Sequence, residues 1–417
     1  MGAMAEDARY NARMISVRDA QAHILAQVER AVPPEVIPVG AGLGRVLAED
    51  VRATFDVPPT DNSAVDGYAV RGADIPTSGR RELTVVADLA AGTVFDGTIG
   101  PGEALRIMTG APMPAGADTV YPQELVERSG RAVRIPAGTR GVNVRHRGED
   151  VRSGTVVLPA GRVLRPQELG VAASLGLPQL LVRQKPRVAI LSTGDEVAEP
   201  GDERKPGQIF DSNRFSLHGL VEAAGGHATD HGIVPDLYDV LHAKLRTAAA
   251  TADIVLTSGG VSVGDYDLVK AVLQDAGGID FWQVAMQPGR PLAVGRIGAA
   301  HFFGLPGNPV ASMLTFHLFV RPALWKLAGR RDLFAPIFHA MAMEAMSKKP
   351  GRREFKRGIL SYAPGSGGGR WEVRTTGPQG SGILTSMTLA NCFVVIEEER
   401  GDIAAGETVS VELFSVD

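Results

Sequence analysis

Residues 187–196 read RVAILSTGDE, an apolar run that stops abruptly in a polar turn containing glycine. The same order returns in DIVLTSGGVSVGDYD at 253–267 and in AHFFGLPGNP at 300–309. A short apolar run without polar alternation is the pattern of a strand buried on both faces. Helical patterns lie between these runs. DSNRFSLHGLVEAAGG (211–226) opens on Asp, Ser and Asn and stops at Gly225-Gly226. LYDVLHAKLRTAAATA (237–252) and LVKAVLQDAGG (268–278) follow. PVASMLTFHLFVRPALWKLAG (309–329) reads as one long helix, with Asn308 as N-cap and Pro309 in its first turn. Strands alternating with helices predict a mostly parallel sheet covered on both faces, an α/β fold.

On either side of this region the texture is different. Ser16 and Asp19 form a capping-box pattern that opens a helix over 16–30, ended by Pro33-Pro34. From about 51 to 149, short runs such as LTVVADL, ALRIM and AVRI alternate with turns and predict a β-rich module. VVLPAG, the helix-like PQELGVAASLG and QLLV occupy 151–183. Beyond 332 the runs EFKRGILSY, WEVRTT, CFVVIEEE and TVSVELF predict a small β barrel or sandwich.

A chain of 417 residues is too long for one ordinary domain. Its 43 basic and 47 acidic residues give a net charge of −4, which argues against a nucleic-acid partner. The single cysteine, Cys392, permits no internal disulfide and sits in an apolar run, as a core residue in a reducing, cytoplasmic setting would. No run is long and apolar enough to span a membrane, and no secretory signal pattern is evident at the start.

The chemistry is expected where the strands end. In an open α/β sheet, ligands bind outside the carboxyl ends of the strands. LSTGDE (191–196), TSGGVSVGDYD (257–267) and GLPGNP (304–309) all fall at that edge. Glycines let backbone N–H groups approach an anion closely. Asp195, Glu196, Asp236, Asp265 and Asp267 lie beside them. Carboxylates next to a phosphate cradle commonly hold Mg²⁺, although turn and capping chemistry would also account for them individually. GVSVG (260–264) also fits a nucleophile elbow, with Ser262 as nucleophile and His301 or His317 as base. The acids just after it would repel the oxyanion that such chemistry must stabilise.

Further segments complete a pattern: DNSAVDGYAV (61–70), RIMTGAPMPAGAD (106–118), RHRGED (145–150), STGDE, DSNR, SGGVSVG with Asp267, PGRP, GLPGNPV, GRREFKRG (351–358) and QGSGIL (379–384). Together they resemble the molybdopterin molybdotransferase family, the bacterial MoeA proteins and the corresponding domain of gephyrin, over roughly residues 15–415. The resemblance implies four domains: an elongated one from 14–50 and 150–183, a β-rich one at 51–149, an α/β molybdopterin-binding one at 184–331 and a C-terminal β barrel at 332–417. It implies transfer of molybdenum from molybdate to adenylylated molybdopterin, with Mg²⁺-dependent release of AMP. It also implies a homodimer with the site between subunits, and contact with the adenylyltransferase of the same pathway. By the same resemblance Asp66, Thr109, Asp150, Glu196, Asp236 and Asp267 are the catalytic positions, and Glu196, Asp236 and Asp267 hold the metal. Thr193, Gly194, Ser258, Gly259, Gly260, Ser262, Arg290, Pro306, Gly307, Asn308, Pro309 and Ser381 line the pterin and phosphate cradle.

One stretch departs from the family pattern. Members commonly carry lysines in FWK…KPGKP, whereas this chain reads FWQVAMQPGRP, with Gln283 and Gln287 in place of two cations. An amide still donates hydrogen bonds but brings no net charge. The expectation is a working enzyme, with the missing charge absent or supplied by Arg352, Arg353 or Arg357. The alternatives are a pterin-binding or scaffold paralogue with weak or no transfer, and a phosphohydrolase of the same α/β fold.

Overall fold

The structure, a computed structural model, describes residues 14–259, 271–272, 275–365 and 368–414. The chain divides into two compact units. Unit 1 comprises 1–48, 161–165 and 180–417, and unit 2 comprises 49–160 and 166–179.

Unit 1 is built on a seven-stranded sheet. Its elements in chain order are β1 (Met14–Ile15), α1 (Val17–Gln27), β2 (Arg187–Thr193), α2 (Asn213–Ala223), β3 (His227–Val234), α3 (Tyr238–Thr251), β4 (Ile254–Ser258), β5 (Ile279–Val284), β6 (Pro291–Ile297), β7 (Ala300–Leu305), α4 (Pro309–Thr315) and α5 (Arg321–Leu327). The sheet order is β1-β5-β6-β7-β4-β2-β3. The strands from β7 through β3 are parallel, and β1 is parallel to β5. β5, β6 and β7 form an antiparallel meander, so the sheet is mostly parallel as expected.

The period of two along each strand sorts side chains between two cores. Val188 and Ile190 of β2 join Ile254 and Leu256 of β4 under α1, α2, α4 and α5. Ala189, Leu191 and Val255 face the other way, onto Leu241, Leu245 and Ala248 of α3. Each fully buried Val, Leu or Ile contributes about 1.5–3 kcal/mol, so both faces hold the sheet.

The N-cap half of the capping box at the start of α1 is present. The Asp19 N–H donates to Ser16 Oγ at 3.1 Å, and Ser16 Oγ donates to the Asp19 carboxylate at 2.8 Å. The helix stops at Gln27, earlier than the pattern suggested, because Val28 turns out of helical geometry to bury its side chain.

The long helix expected over 309–329 is interrupted by a π turn at Phe316–Val320. The cause is Pro322, which has no N–H and whose ring crowds the carbonyl four residues back, that of Leu318. The helix widens there, and the Leu318 carbonyl instead accepts from Gln21 Nε2 at 3.0 Å.

The C-terminal part of unit 1 carries β8 (Ile337–Ala342), β9 (Arg353–Ala363), β10 (Arg370–Thr375), β11 (Cys392–Ile396) and β12 (Thr408–Leu413). They pair in the order β9-β10-β8-β12-β11, and β11 pairs back with β9, which closes a barrel. Cys392 is fully buried there and burial pushes its thiol up to about 12, as a core residue requires. The pair Met286–Gln287 runs parallel to the start of β9.

Unit 2 is a β module. Its six-stranded sheet runs Thr119–Pro122, Gly67–Val70, Glu103–Ile107, Arg80–Leu89, Ala132–Pro136, Glu127–Ser129. Two short ribbons join Asn62–Ser63 to Val144–Arg145 and Val51–Arg52 to Val156–Leu158.

Candidate functional site

The carboxyl ends of β2, β4 and β7 converge in unit 1, and three loops interlock there. The Gly259 N–H donates to the Leu305 carbonyl at 3.1 Å. Gly259 has φ +92°, and a Cβ at that position would lie 2.7 Å from the Thr193 carbonyl oxygen. Only glycine meets both conditions at this crossing. Gly194, at φ +128°, lies where a Cβ would run into the Glu196 carboxylate at 2.4 Å.

Asn213, at the start of α2, braces two of these loops. Its Nδ2 donates to Ser258 Oγ at 2.7 Å and to the Gly307 carbonyl at 2.7 Å. The next residue, Arg214, fixes this end of the helix. It is buried and pairs with Asp211 at 3.0 Å, Asp230 at 2.6 Å and Glu199. Burial pulls its guanidinium down, but the three carboxylates together hold it well above its ordinary value.

A cavity of about 550 Å³ opens beside these loops. Pro306, Gly307 and Asn308 from the β7–α4 loop form one wall, and Glu196 and Ile209 form another. Gln287, Pro288 and Gly289 close a third, and Gln379, Gly380 and Ser381 reach in from the barrel part. The last loop is held by Arg357, one of the largest fully buried side chains of the protein. Arg357 donates to the carbonyls of Gln379 and Gly380 at 3.0 Å each, and to Ser386 Oγ at 3.0 Å. The Val310 N–H donates to the Ser381 carbonyl at 3.2 Å, which seats the loop on the start of α4.

Among the described residues, Ser192 Oγ, Thr193 Oγ1, Thr257 Oγ1, Ser312 Oγ and Asn213 Oδ1 are buried without a hydrogen-bond partner. Native proteins leave few such atoms, and a cluster of them at strand ends is chemistry suited to a polar ligand or ordered water.

The expected residues separate clearly by position. Thr193 and Ser258 end β2 and β4, with Gly194 and Gly259 immediately after them. Glu196, Pro306, Gly307, Asn308 and Ser381 line the cavity, and Pro309 begins α4. Asp236 follows β3, and its N–H donates to the Asp195 carboxylate at 3.4 Å. Gly260, Ser262, Asp265 and Asp267 lie outside the described residues. Gln287 lines the cavity, whereas Gln283 and Arg290 are not among its lining residues. Asn308 occupies the N-cap position without a capping bond from its side chain.

The remaining three positions belong to unit 2. Asp66 accepts from the Thr109 hydroxyl at 2.6 Å and the Thr109 N–H at 2.7 Å, and these bonds hold its carboxyl below the usual range. Asp150 lies on a shallow depression with Gly148, Glu149 and Arg152, and its N–H donates to the Val57 carbonyl at 3.1 Å.

The neighbouring cations have other duties. Arg353 pairs with Glu397 and Glu398, and Lys356 pairs with Glu354 at 2.6 Å. Arg357 spends its donors on loop carbonyls, so it lends positive potential from behind the cavity wall and does not face the cavity. The hydrolase reading loses both of its bases. His301 is the second residue of β7, about 13 Å of strand away from the loop end. His317 is buried, and burial pushes it down to about 3. The sequence reading assigned no role to Asn213 and offered Arg357 only as a source of charge, not as the brace of a loop, although DSNR and GRREFKRG carried the signal.

An α/β ligand-binding core with a β module before it and a closed barrel after it defines the class of protein. Three family descriptions tile the chain: the MoeA N-terminal region (domain I and II) at 15–176, "Probable molybdopterin binding domain" at 189–326 and the MoeA C-terminal region (domain IV) at 339–414. The chain is 39% identical over 405 residues to the molybdopterin molybdenumtransferase of Haemophilus influenzae, covering 96% of this chain and 99% of that one. It is 38% identical to molybdopterin molybdenumtransferase 2 of Mycobacterium tuberculosis, covering 95% and 99%. The crystal structure of the molybdopterin biosynthesis moeA protein from Pyrococcus horikoshii OT3 superposes with a TM-score of 0.83 at 32% identity, covering 96% and 100%. The chain belongs to the MoeA family.

Proposed function

We propose that this protein is a molybdopterin molybdenumtransferase, which inserts molybdenum into adenylylated molybdopterin during molybdenum cofactor biosynthesis and releases AMP. The observation that carries the reading is the cavity at the ends of β2, β4 and β7, with its glycine crossings and buried hydroxyls, in a chain aligned end to end with enzymes of that name. The scaffold alternative rests on the two glutamines alone and has no structural feature in its favour.

The cradle is proposed to work by shape and hydrogen bonding. Gly194, Gly259 and Gly307 let backbone approach the substrate's phosphate, and Asn213 keeps the loops of β4 and β7 at a fixed separation. Molybdate enters beside Gln287 and Ser381, which offer neutral donors. Glu196 and Asp236, with Asp267, are the residues proposed to hold Mg²⁺. Among the described residues no group of three metal-binding side chains forms. Mg²⁺ needs no such group, because it takes one or two carboxylates and completes its shell with phosphate oxygens and water. When bound, it neutralises charge on the phosphates.

Asp66, Thr109 and Asp150 are proposed to complete the site from the partner subunit of a homodimer. Strand pairings between the segments 14–50 and 150–183, at Val46–Val163 and Leu47–Val182, support the elongated domain of the four-domain arrangement. Location in the cytoplasm and contact with the pathway's adenylyltransferase are part of the same reading.

Subunit mixing tests it. Asp66→Ala and Glu196→Ala are each expected to abolish AMP release and cofactor formation. If the two residues serve one site from different subunits, equal mixing and reassembly restores about a quarter of wild-type activity, because half the dimers carry one intact site of two. No recovery in a demonstrated mixed dimer would sink the shared site. A wild type inactive even at saturating molybdate would sink the enzyme.

A further inference from the structure

Unit 1 contains a second cavity, of about 420 Å³, that shares no lining residue with the first. Its floor is aromatic. His317 stacks on Phe414 with ring centroids 5.8 Å apart, and Phe316 and Trp325 complete the surface. Arg162, Arg165, Arg321, Arg330 and Asp332 are among its lining residues. His317 stays neutral because burial pushes it down to about 3, so it offers ring surface and no charge.

Arg321 is the informative residue. It is 6% exposed, its Nη2 donates to Glu412 at 2.7 Å, and it lies over the Trp325 ring at 5.0 Å. Its Nε–H is buried and has no partner among the described residues. A guanidinium N–H left buried at a cavity wall is costly unless something occupies it. The backbone is unusual at the same place. The Arg321 N–H donates to the Phe316 carbonyl five residues back, and this π turn presents Phe316, His317 and Arg321 together. Turns of this kind recur at functional sites.

We propose that this cavity is a second ligand site, which takes a small aromatic carboxylate with its ring on the His317–Phe414 surface and its carboxylate on the Arg321 Nε–H. A carboxylate is favoured over a phosphate because the buried N–H on offer is single, the two Nη atoms being turned to the Phe414 carbonyl and Glu412. A phosphate needs donors for three oxygens. An N–H that needs an acceptor offers a cationic ligand nothing to bind. Nothing in the proposal depends on the transfer reaction.

Calorimetry of the full chain with 2-naphthoate, and with uncharged 2-naphthamide as its control, tests it. Saturable binding of one naphthoate per chain is expected, with the amide weaker by about tenfold or more. Leu220→Trp, on a half-buried lining residue, is expected to fill the cavity and abolish binding. Arg321→Lys keeps a cation for Glu412 but loses the Nε–H, and is expected to weaken binding about tenfold. If that variant fails to fold, the Leu220→Trp result decides. Equal binding of the amide, or unchanged binding in Leu220→Trp, overturns the proposal. So does dissociation of subunits in step with naphthoate binding, measured by sedimentation, because the cavity would then be a subunit contact.

Discussion

Two groups of polar residues in this protein are built in opposite ways. In unit 1 the strand-end loops use backbone, glycine and buried hydroxyls around a cavity, braced by Asn213 and Arg357. In unit 2 the Asp66–Thr109 pair is exposed at the ends of two inner strands, held by two short hydrogen bonds. The first arrangement preorganises a pocket, and its geometry is expensive to disturb. The second presents a charge whose ionisation is fixed while its surroundings stay open. A cradle tolerates no added atoms, whereas a presented carboxylate tolerates changes that keep its charge.

That contrast orders the expected effects of substitution. Gly259→Ala should be the most damaging, because the new Cβ meets the Thr193 carbonyl and the φ is one that alanine resists. A stability loss of about 2–4 kcal/mol by urea unfolding is expected, with activity down at least about a hundredfold. A fully active Gly259→Ala would break the idea of a rigid cradle. Arg357→Met should follow. It removes at least three donated hydrogen bonds, so a loss of about 2–4 kcal/mol is expected, with molybdate KM raised more than kcat is lowered. A change confined to stability would show that the Ser381 loop is not part of the site.

Gln287→Lys should lower the molybdate KM by about tenfold, since a cation then lines the cavity. Gln283→Lys, away from the lining, should change it far less. Equal effects would contradict the placement of these two residues. Thr109→Val is the mildest. Asp66 loses the hydroxyl that chiefly depresses its pKa, so its titration by NMR should move up toward the ordinary value near 4. The sign follows from the depressed native pKa. The bond's contribution is present above the unfolded pKa and fades as pH falls through the native one, so at neutral pH Asp66 stays ionised in both proteins. Activity should fall about tenfold, and an unmoved titration would dismiss the Thr109 bond as its cause.

The alternation of strands and helices in 187–329, the N-cap at Ser16 and the glycine loops were all readable in the residues, because each is a local rule. What escaped depended on partners far along the chain. The π turn needed Pro322 and also Gln21, whose side chain serves the Leu318 carbonyl from 297 positions away. GRREFKRG looked like a reserve of cations for an anion. Folding commits Arg353 to Glu397 and Glu398, and Arg357 to the 378–380 carbonyls. Barrel closure could not be told from a sandwich, because it depends on β11 meeting both β9 and β12. Asp265 and Asp267 fall in the stretch 260–270, outside the described residues, so the acids after SGGVSVG rest on the sequence alone.

The two residues of β1 have a practical meaning for anyone handling this protein. They lie parallel to β5 at the rim of the seven-stranded sheet, and the Ile15 carbonyl accepts from the Ala285 N–H at 2.8 Å. Trimming the chain past Ile15 would uncover a row of β5 backbone groups, the kind of rim that recruits strands from neighbouring molecules. Solubility of a shortened protein would therefore depend on two residues that carry no chemistry. An affinity handle is better joined upstream of Met14 than substituted for it.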